Sequence, residues 1–206
     1  MNLTTIPVIV LSYFLGAVPF GLLLGRWRGV DPRRAGSGNI GATNLSRVGG
    51  RGLGLATFIL DAGKGAAGPL LARGADLEPG WVAAAGMAAI LGHCFPAYLW
   101  FRGGKGVATL MGAFLVLNPV AAAAAAVAFA VSLLAFRYVA LSSFFLALTL
   151  AVASAWLGGA SRPGSITAMA CVLLVAYTHR GNWSRMHRGT EGRAFAPSDS
   201  GETANG

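Results

Sequence analysis

From Val107 to Phe136 the chain runs VATLMGAFLVLNPVAAAAAAVAFAVSLLAF, thirty residues without one charged side chain. As a single helix this stretch would extend about 45 Å at the usual rise per residue. A bilayer's hydrocarbon core is about 30 Å thick. Asn118-Pro119 near its middle is a turn signal, so the stretch predicts two helices, the first short, meeting at one membrane surface. One long kinked helix is the alternative.

The rest of the chain has the same character. Of 206 residues 55% are hydrophobic and only 11% charged, with 30 glycines. Soluble domains carry about 25% charged residues, so an ordinary soluble globule is excluded. Disorder is excluded too, because it needs low hydrophobicity. The net charge is +9. A nucleic-acid-binding chain would spread such charge over a solvated face. Here it is confined to short segments between long uncharged ones, which predicts an all-α polytopic membrane protein and no nucleic-acid partner.

Further spans are expected at Thr5–Gly25, with a possible kink at Pro19, and at Gly52–Ala72, Trp81–Phe101, Ala140–Leu157 and Ser165–Thr178. With the two helices of Val107–Phe136 these make seven; five is the alternative if two weak spans are re-entrant. With seven spans, an outside N-terminus and a cytoplasmic C-terminus, the inside segments hold thirteen basic residues: Arg26, Arg28, Arg33, Arg34, Arg47, Arg51, Arg102, Lys105, Arg137, Arg180, Arg185, Arg188 and Arg193. The outside holds Arg73 and Arg162. That asymmetry satisfies the positive-inside rule, whereas six spans would divide the basic segments between the two faces. Residues 1–195 read as one membrane domain and 196–206 as a disordered polar tail. Cys94 and Cys171 lie in apolar stretches with no metal-ligand spacing and read as small buried residues.

Three polar segments fall on the inside face. The first, Ser37-Gly-Asn-Ile-Gly-Ala-Thr-Asn44 followed by Arg47, is rich in residues that make poor helix. It reads as a loop whose backbone N–H groups face an anion, with Arg47 adding a planar fork of donors. A flexible connector is the competing reading. The second is Gly92-His-Cys-Phe-Pro96 followed by Arg102-Gly-Gly-Lys-Gly-Val-Ala-Thr109. Gly103, Gly104, Lys105 and Gly106 stand ahead of an apolar helix, whose free N–H groups and dipole favour phosphate. It departs from a P-loop: Leu99 stands where the first glycine would be, and Gly106 rather than Ser or Thr follows Lys105. An interfacial lysine reaching for water is the competing reading. The third runs from His179 to Glu191, with His179 and Asn182 three apart and so on one face of a helix. Its arginines also suit a basic tail on anionic lipid.

Ionisable residues inside spans need partners. Asp61 and Lys64 are spaced to pair on one helix, and His93 is either a satisfied core histidine or a site residue. No His is followed by Asp five positions later, and no GxSxG nucleophile motif occurs.

Taken together, the three segments resemble the bacterial integral-membrane acyl-phosphate:glycerol-3-phosphate acyltransferases. The first resembles that family's SGNxGxTN motif and following Arg. The second resembles GHxFPxxxxFxGGKGVAT, from Gly92 to Thr109. The third resembles HRxNIxRLxxGTE, with Trp183 for Ile and Met186 for Leu. Asp61-Ala-Gly-Lys-Gly65 and Arg137-Tyr-Val-Ala-Leu-Ser-Ser143 resemble two further family stretches, Ala140 replacing a usual Ser.

The resemblance implies seven helices in the bacterial plasma (inner) membrane and an active site facing the cytoplasm. It implies transfer of a fatty acyl group from acyl-phosphate to glycerol 3-phosphate, giving lysophosphatidic acid and phosphate, with no cofactor or metal. The expected catalytic residues are Ser37, Lys105, His179 and Asn182. The expected substrate-binding residues are Asn39, Gly41, Thr43, Asn44, Arg47, Gly103, Gly104, Gly106, Thr109 and Ser143, supported by His93 and Glu191. The expected partners are the two substrates and membrane lipid, with the chain acting as a monomer. A transporter of phosphate compounds is the alternative. It would place its polar groups near mid-bilayer, whereas these motifs gather on one face.

Overall fold

The computed structural model describes residues 3–158 and 162–194. Within them lie ten α-helices and no strand. They are α1 (Thr5–Ala17), α2 (Phe20–Trp27), α3 (Ala42–Gly49), α4 (Arg51–Gly74), α5 (Pro79–Cys94), α6 (Val107–Leu117), α7 (Pro119–Phe136), α8 (Val139–Gly158), α9 (Pro163–Thr178) and α10 (Arg180–His187). The tail expected to be disordered, residues 196–206, lies outside the described residues.

The break at Asn118-Pro119 is present. Asn118 Oδ1 accepts a hydrogen bond from the Ala121 N–H, capping α7, and Pro119 takes the first helical position, where a missing N–H costs nothing. Pro19 does more than kink the first span: α1 stops at Ala17 and α2 restarts at Phe20. Two expectations need correction. The span expected to reach Phe101 ends as helix at Cys94, because the residues after Pro96 fold into a short 3-10 turn and a reversing loop. And Ala42–Gly49, expected to be loop, is helical: Leu45 is fully buried, and that burial outweighs the poor helix propensity of its neighbours.

The segments Thr5–Trp27, Pro79–Leu99, Pro119–Phe136 and Val139–Gly158 are long and apolar enough to cross a membrane. α4 has the length, at 24 residues, but carries Asp61 and Lys64 inside. α6 and α9 are apolar but shorter. The outer surface is apolar, with Leu134, Leu173 and Trp156 among its most exposed side chains. Alanine is the commonest residue in the interior of α5–α9, with Phe114, Ile90, Leu110 and Leu150 among its bulkier members. Lipid tails are as apolar as leucine, so membrane helices gain by close backbone approach at small residues. α4 and α6 show this: Gly65 lies on the Thr109 carbonyl and Gly112 on the Ala62 carbonyl, leaving no room for a Cβ at either. Gly92 makes a similar approach to α1 at Tyr13.

Candidate active site

The segment before α3 is organised by one amide. Asn44 Oδ1 accepts the Ser37 N–H at 2.8 Å, and its Nδ2 donates to the carbonyls of Pro32, Ala35 and Asn39 at 2.8–3.1 Å. Asn39 Oδ1 in turn accepts the Gly41 N–H at 2.8 Å. Gly36, with φ +60°, packs directly on Asn44 Oδ1, a place and a conformation that exclude a side chain. Asn44 is thus fully occupied in shaping the loop. α3 begins without a side-chain cap at Gly41, so its first N–H groups, on Ala42 and Thr43, are left to the cleft beside them.

The second motif doubles back on α5. Gly104 N–H donates to the His93 carbonyl at 3.0 Å and Gly103 N–H to the Cys94 carbonyl at 3.2 Å. Gly104 presses against the His93 ring itself. Gly106, with φ +84°, turns the chain into α6. This carries Lys105 inward, where its Nζ donates to Asn182 Oδ1 at 2.6 Å.

The third motif completes a relay. Asn182 Nδ2 donates to Glu191 Oε1 at 2.6 Å, and Glu191 Oε2 accepts from Arg185 Nε at 2.7 Å. His179 is 2% exposed, and its Nδ1 lies 2.9 Å from the Val175 carbonyl. A carbonyl only accepts, so Nδ1 carries the proton and Nε2 keeps its lone pair. Burial and the nearby Lys105 charge push the His179 pKa down to about 4, so the ring is neutral at physiological pH. Burial also lowers Lys105, to about 8, against the favourable pull of Glu191.

These pieces face one cleft of about 140 Å³. Ser37, Asn39, Gly41, Thr43, Asn44 and Arg47 line it from the first motif, and Lys105 and Gly106 from the second. His93, Ser143, His179, Asn182 and Glu191 complete the polar wall. Three expected residues are elsewhere. Gly103 and Gly104 line a neighbouring recess, and Thr109 is buried in α6 against α4. Ser143 reaches the wall, but its hydroxyl donates to the Val139 carbonyl one turn back. Residues not expected also line the cleft: Asp61, and an apolar side made of Phe58, Val107, Phe129, Val139 and Ala140. Asp61 was visible as a charge within a span. The apolar residues gave no signal distinguishing them from ordinary lipid-facing ones.

The charge balance favours an anion. Glu191 is engaged by Asn182 and Arg185, and Asp61 by Lys64 at 2.9 Å, with His93 Nδ1 3.6 Å from the same carboxylate oxygen. Arg47 and Lys105 then face the cleft without a carboxylate within 4.0 Å among the described residues.

A family profile described as glycerol-3-phosphate acyltransferase matches residues 6–189. The chain belongs to the glycerol-3-phosphate acyltransferase family. It is 43% identical to the glycerol-3-phosphate acyltransferase of Geotalea daltonii over 188 residues, 90% of this chain and 95% of that one. It is 44% identical to that of Myxococcus xanthus, over 92% of this chain and 99% of the relative. Among solved structures it is similar to an integral membrane glycerol 3-phosphate acyltransferase. The glycerol 3-phosphate form superposes with a TM-score of 0.87 at 32% identity, covering 92% of this chain and 95% of that one. The lysophosphatidic acid form gives 0.85 at 31% identity. The chain is accordingly a multi-pass membrane acyltransferase, and its three motifs line one cleft.

Proposed function

We propose that the enzyme transfers a fatty acyl group from acyl-phosphate to the 1-hydroxyl of glycerol 3-phosphate, releasing lysophosphatidic acid and inorganic phosphate. It would do so as a monomer of seven spans, N-terminus outside, with the cleft open to the cytoplasm at the inner membrane. The observation that carries this reading is the meeting of polar and apolar walls in one cleft. Free helix N–H groups, Arg47 and Lys105 suit phosphate, and Phe58, Phe129 and Val139 suit an acyl chain.

Acyl-phosphate is a mixed anhydride and needs no covalent enzyme intermediate. The glycerol 3-phosphate hydroxyl oxygen attacks the carbonyl carbon. The carbon–oxygen bond to phosphate then breaks, and phosphate leaves with the electron pair. Ser37 and the N–H groups of Ala42 and Thr43, with those opening α6 after Gly106, hold the donor phosphate and offset the charge that develops on departure. Arg47 and Lys105 hold the phosphate of glycerol 3-phosphate, and Ser143 borders it. His179 Nε2 accepts the hydrogen bond of the attacking hydroxyl and aims it. With a pKa near 4 the ring is a weak base. A phosphate oxygen, with a pKa near 6, is the better final proton acceptor. His93 and Asn44 shape the two loops, and Glu191 fixes Asn182.

The test is phosphate release by purified protein in detergent. Release that requires both substrates, and falls about 100-fold or more in Arg47→Ala, supports the reading. Release without glycerol 3-phosphate, or turnover of acyl thioesters at the same rate, overturns it.

A further inference from the structure

Behind the Gly103–Lys105 loop lies a second and larger recess, about 1200 Å³, that the acyl-transfer scheme does not use. Arg26, Arg33, Arg34, Arg102 and Arg180 border it, from α2, the loop after it, the α5–α6 loop and α10. No carboxylate lines it among the described residues. Asp31 stands nearby, but Arg33 occupies both its oxygens, at 3.0 and 2.7 Å, and Arg26 approaches it at 4.0 Å. Hydrogen bonding to Arg33 holds the Asp31 carboxyl well below the usual carboxylate range, so it stays ionised and its charge is matched first by Arg33, leaving the other arginines of the recess unpaired with it except for the distant Arg26. Arg34, Arg102 and Arg180 have no carboxylate within 4.0 Å among the described residues. Arg180 is held in place by its bond to the Tyr177 carbonyl and by stacking 4.3 Å from the Tyr177 ring.

The rim is aromatic. Trp100 is 87% exposed and Phe101 62%, both on left-handed backbone with φ of 52° and 60°. Two consecutive bulky residues in that region are costly, and both rings stand exposed there. Exposed Trp and Phe beside arginine, at the end of apolar helices, are suited to the headgroup layer of a bilayer. Guanidinium groups favour phosphate through paired N–H donors.

We propose that this recess is a second phosphate site and that it holds the headgroup of an anionic phospholipid, with Trp100 and Phe101 set at the start of its chains. The spread of arginines over four chain segments fits a bulky phosphodiester headgroup better than one small free anion. The site is separate from the acyl-transfer cleft and does not depend on the identity of the acyl donor. It shares with that cleft only Asn39 and Lys105.

Native mass spectrometry of the detergent-purified full chain tests this, with phosphatidylglycerol, phosphatidylcholine and inorganic phosphate as probes. Wild type is expected to retain one phosphatidylglycerol where phosphatidylcholine is lost. R34Q/R102Q is expected to weaken that retention by about tenfold or more, and R34K/R102K by less, because charge survives without the planar fork. R188Q, outside the recess, is expected to match wild type. Melting temperatures show that each variant is folded, and R34K/R102K serves if R34Q/R102Q is not. Equal retention of the two lipids, or equal retention by wild type and R34Q/R102Q, overturns the proposal and leaves the arginines as a face for an acidic protein. Displacement of the lipid by millimolar inorganic phosphate, with the same arginine dependence, overturns the lipid assignment in favour of a soluble phosphate.

Discussion

Lys105 donates a 2.6 Å hydrogen bond to Asn182 from 77 positions away, and Asn182 passes the connection to Glu191. The amide is used in both senses: its oxygen accepts from a cation and its nitrogen donates to a carboxylate. Asn182→Asp would keep the acceptor but set a carboxylate against Glu191, repelling it. We expect N182D to lose as much kcat/KM as N182A, and N182D/E191Q to recover part of it. Lys105→Ala should cost about 100-fold or more in kcat/KM, as a lost charge-stabilising donor does. Steady-state phosphate release by the four purified variants checks this.

The ionisation of Lys105 gives activity and stability opposite pH slopes. Its folded value is about 8, below the ordinary lysine range, chiefly because it is buried. As pH rises past about 8 the side chain loses its proton, so the KM for glycerol 3-phosphate should climb. Over the same interval, up to the ordinary lysine value, the unfolded chain holds a proton that the folded one does not. Stability of the ligand-free enzyme should therefore rise with pH there. Lys105→Met should abolish that stability rise. KM and melting temperature measured from pH 7 to 10 test both signs. His179, with a value near 4, should add no inflection of its own to the activity profile from about pH 5 to 7.5.

Two glycines two positions apart on α4 should respond oppositely to alanine. Gly65 rests on the Thr109 backbone, while Gly63 has nothing within 4 Å of where a Cβ would stand. Gly65→Ala must push α4 and α6 apart, and that displaces Asp61 and Gly106 on the cleft wall. A loss of stability and of activity together is expected. Gly63→Ala should be neutral or gain up to about 1 kcal/mol from helix propensity. Thermal unfolding in detergent, with turnover on the same samples, separates the two.

The contrast between Asn118-Pro119 and Ala42–Gly49 shows what the sequence could disclose. A break in an apolar run is announced by the residues that make it, so the α6–α7 boundary was legible locally. The helix at Ala42 is made by a tertiary fact, the burial of Leu45, and nothing in its glycine- and asparagine-rich surroundings announces it. The first two polar motifs read as anion cradles because their donors are dense, and the third stood out by its His, Asn and Glu spacing. Their gathering on one face was expected from the charge asymmetry between loops, while their convergence on one cleft is seen only in the folded chain. What sequence could not separate was donors that point at the cleft from donors spent on the chain. Asn44 and Thr109 are alike in polarity, yet one holds a loop together and the other is sealed in a helix contact.

The buried pair of Asp61 and Lys64 yields the last prediction. Their side chains are 3% and 4% exposed, 2.9 Å apart, and Lys64 also donates to the Val18 carbonyl at 2.6 Å. That carbonyl sits at the break before Pro19, where it accepts the Phe20 N–H at 3.1 Å, and Lys64 supplies its second donor. Removing one charge leaves the other buried and unpaired, a loss of about 3–5 kcal/mol. Removing both costs less, because the desolvation of two ions disappears with their attraction. Asp61→Asn and Lys64→Met should each lower the unfolding temperature sharply, and D61N/K64M should lie closer to wild type than either single change. The double variant should still lose activity, because Asp61 faces the His93 ring on which Gly104 rests and so helps to set the loop that carries Lys105. If D61N/K64M were the least stable of the three, the pair would be a net stabiliser and this account of it would be wrong.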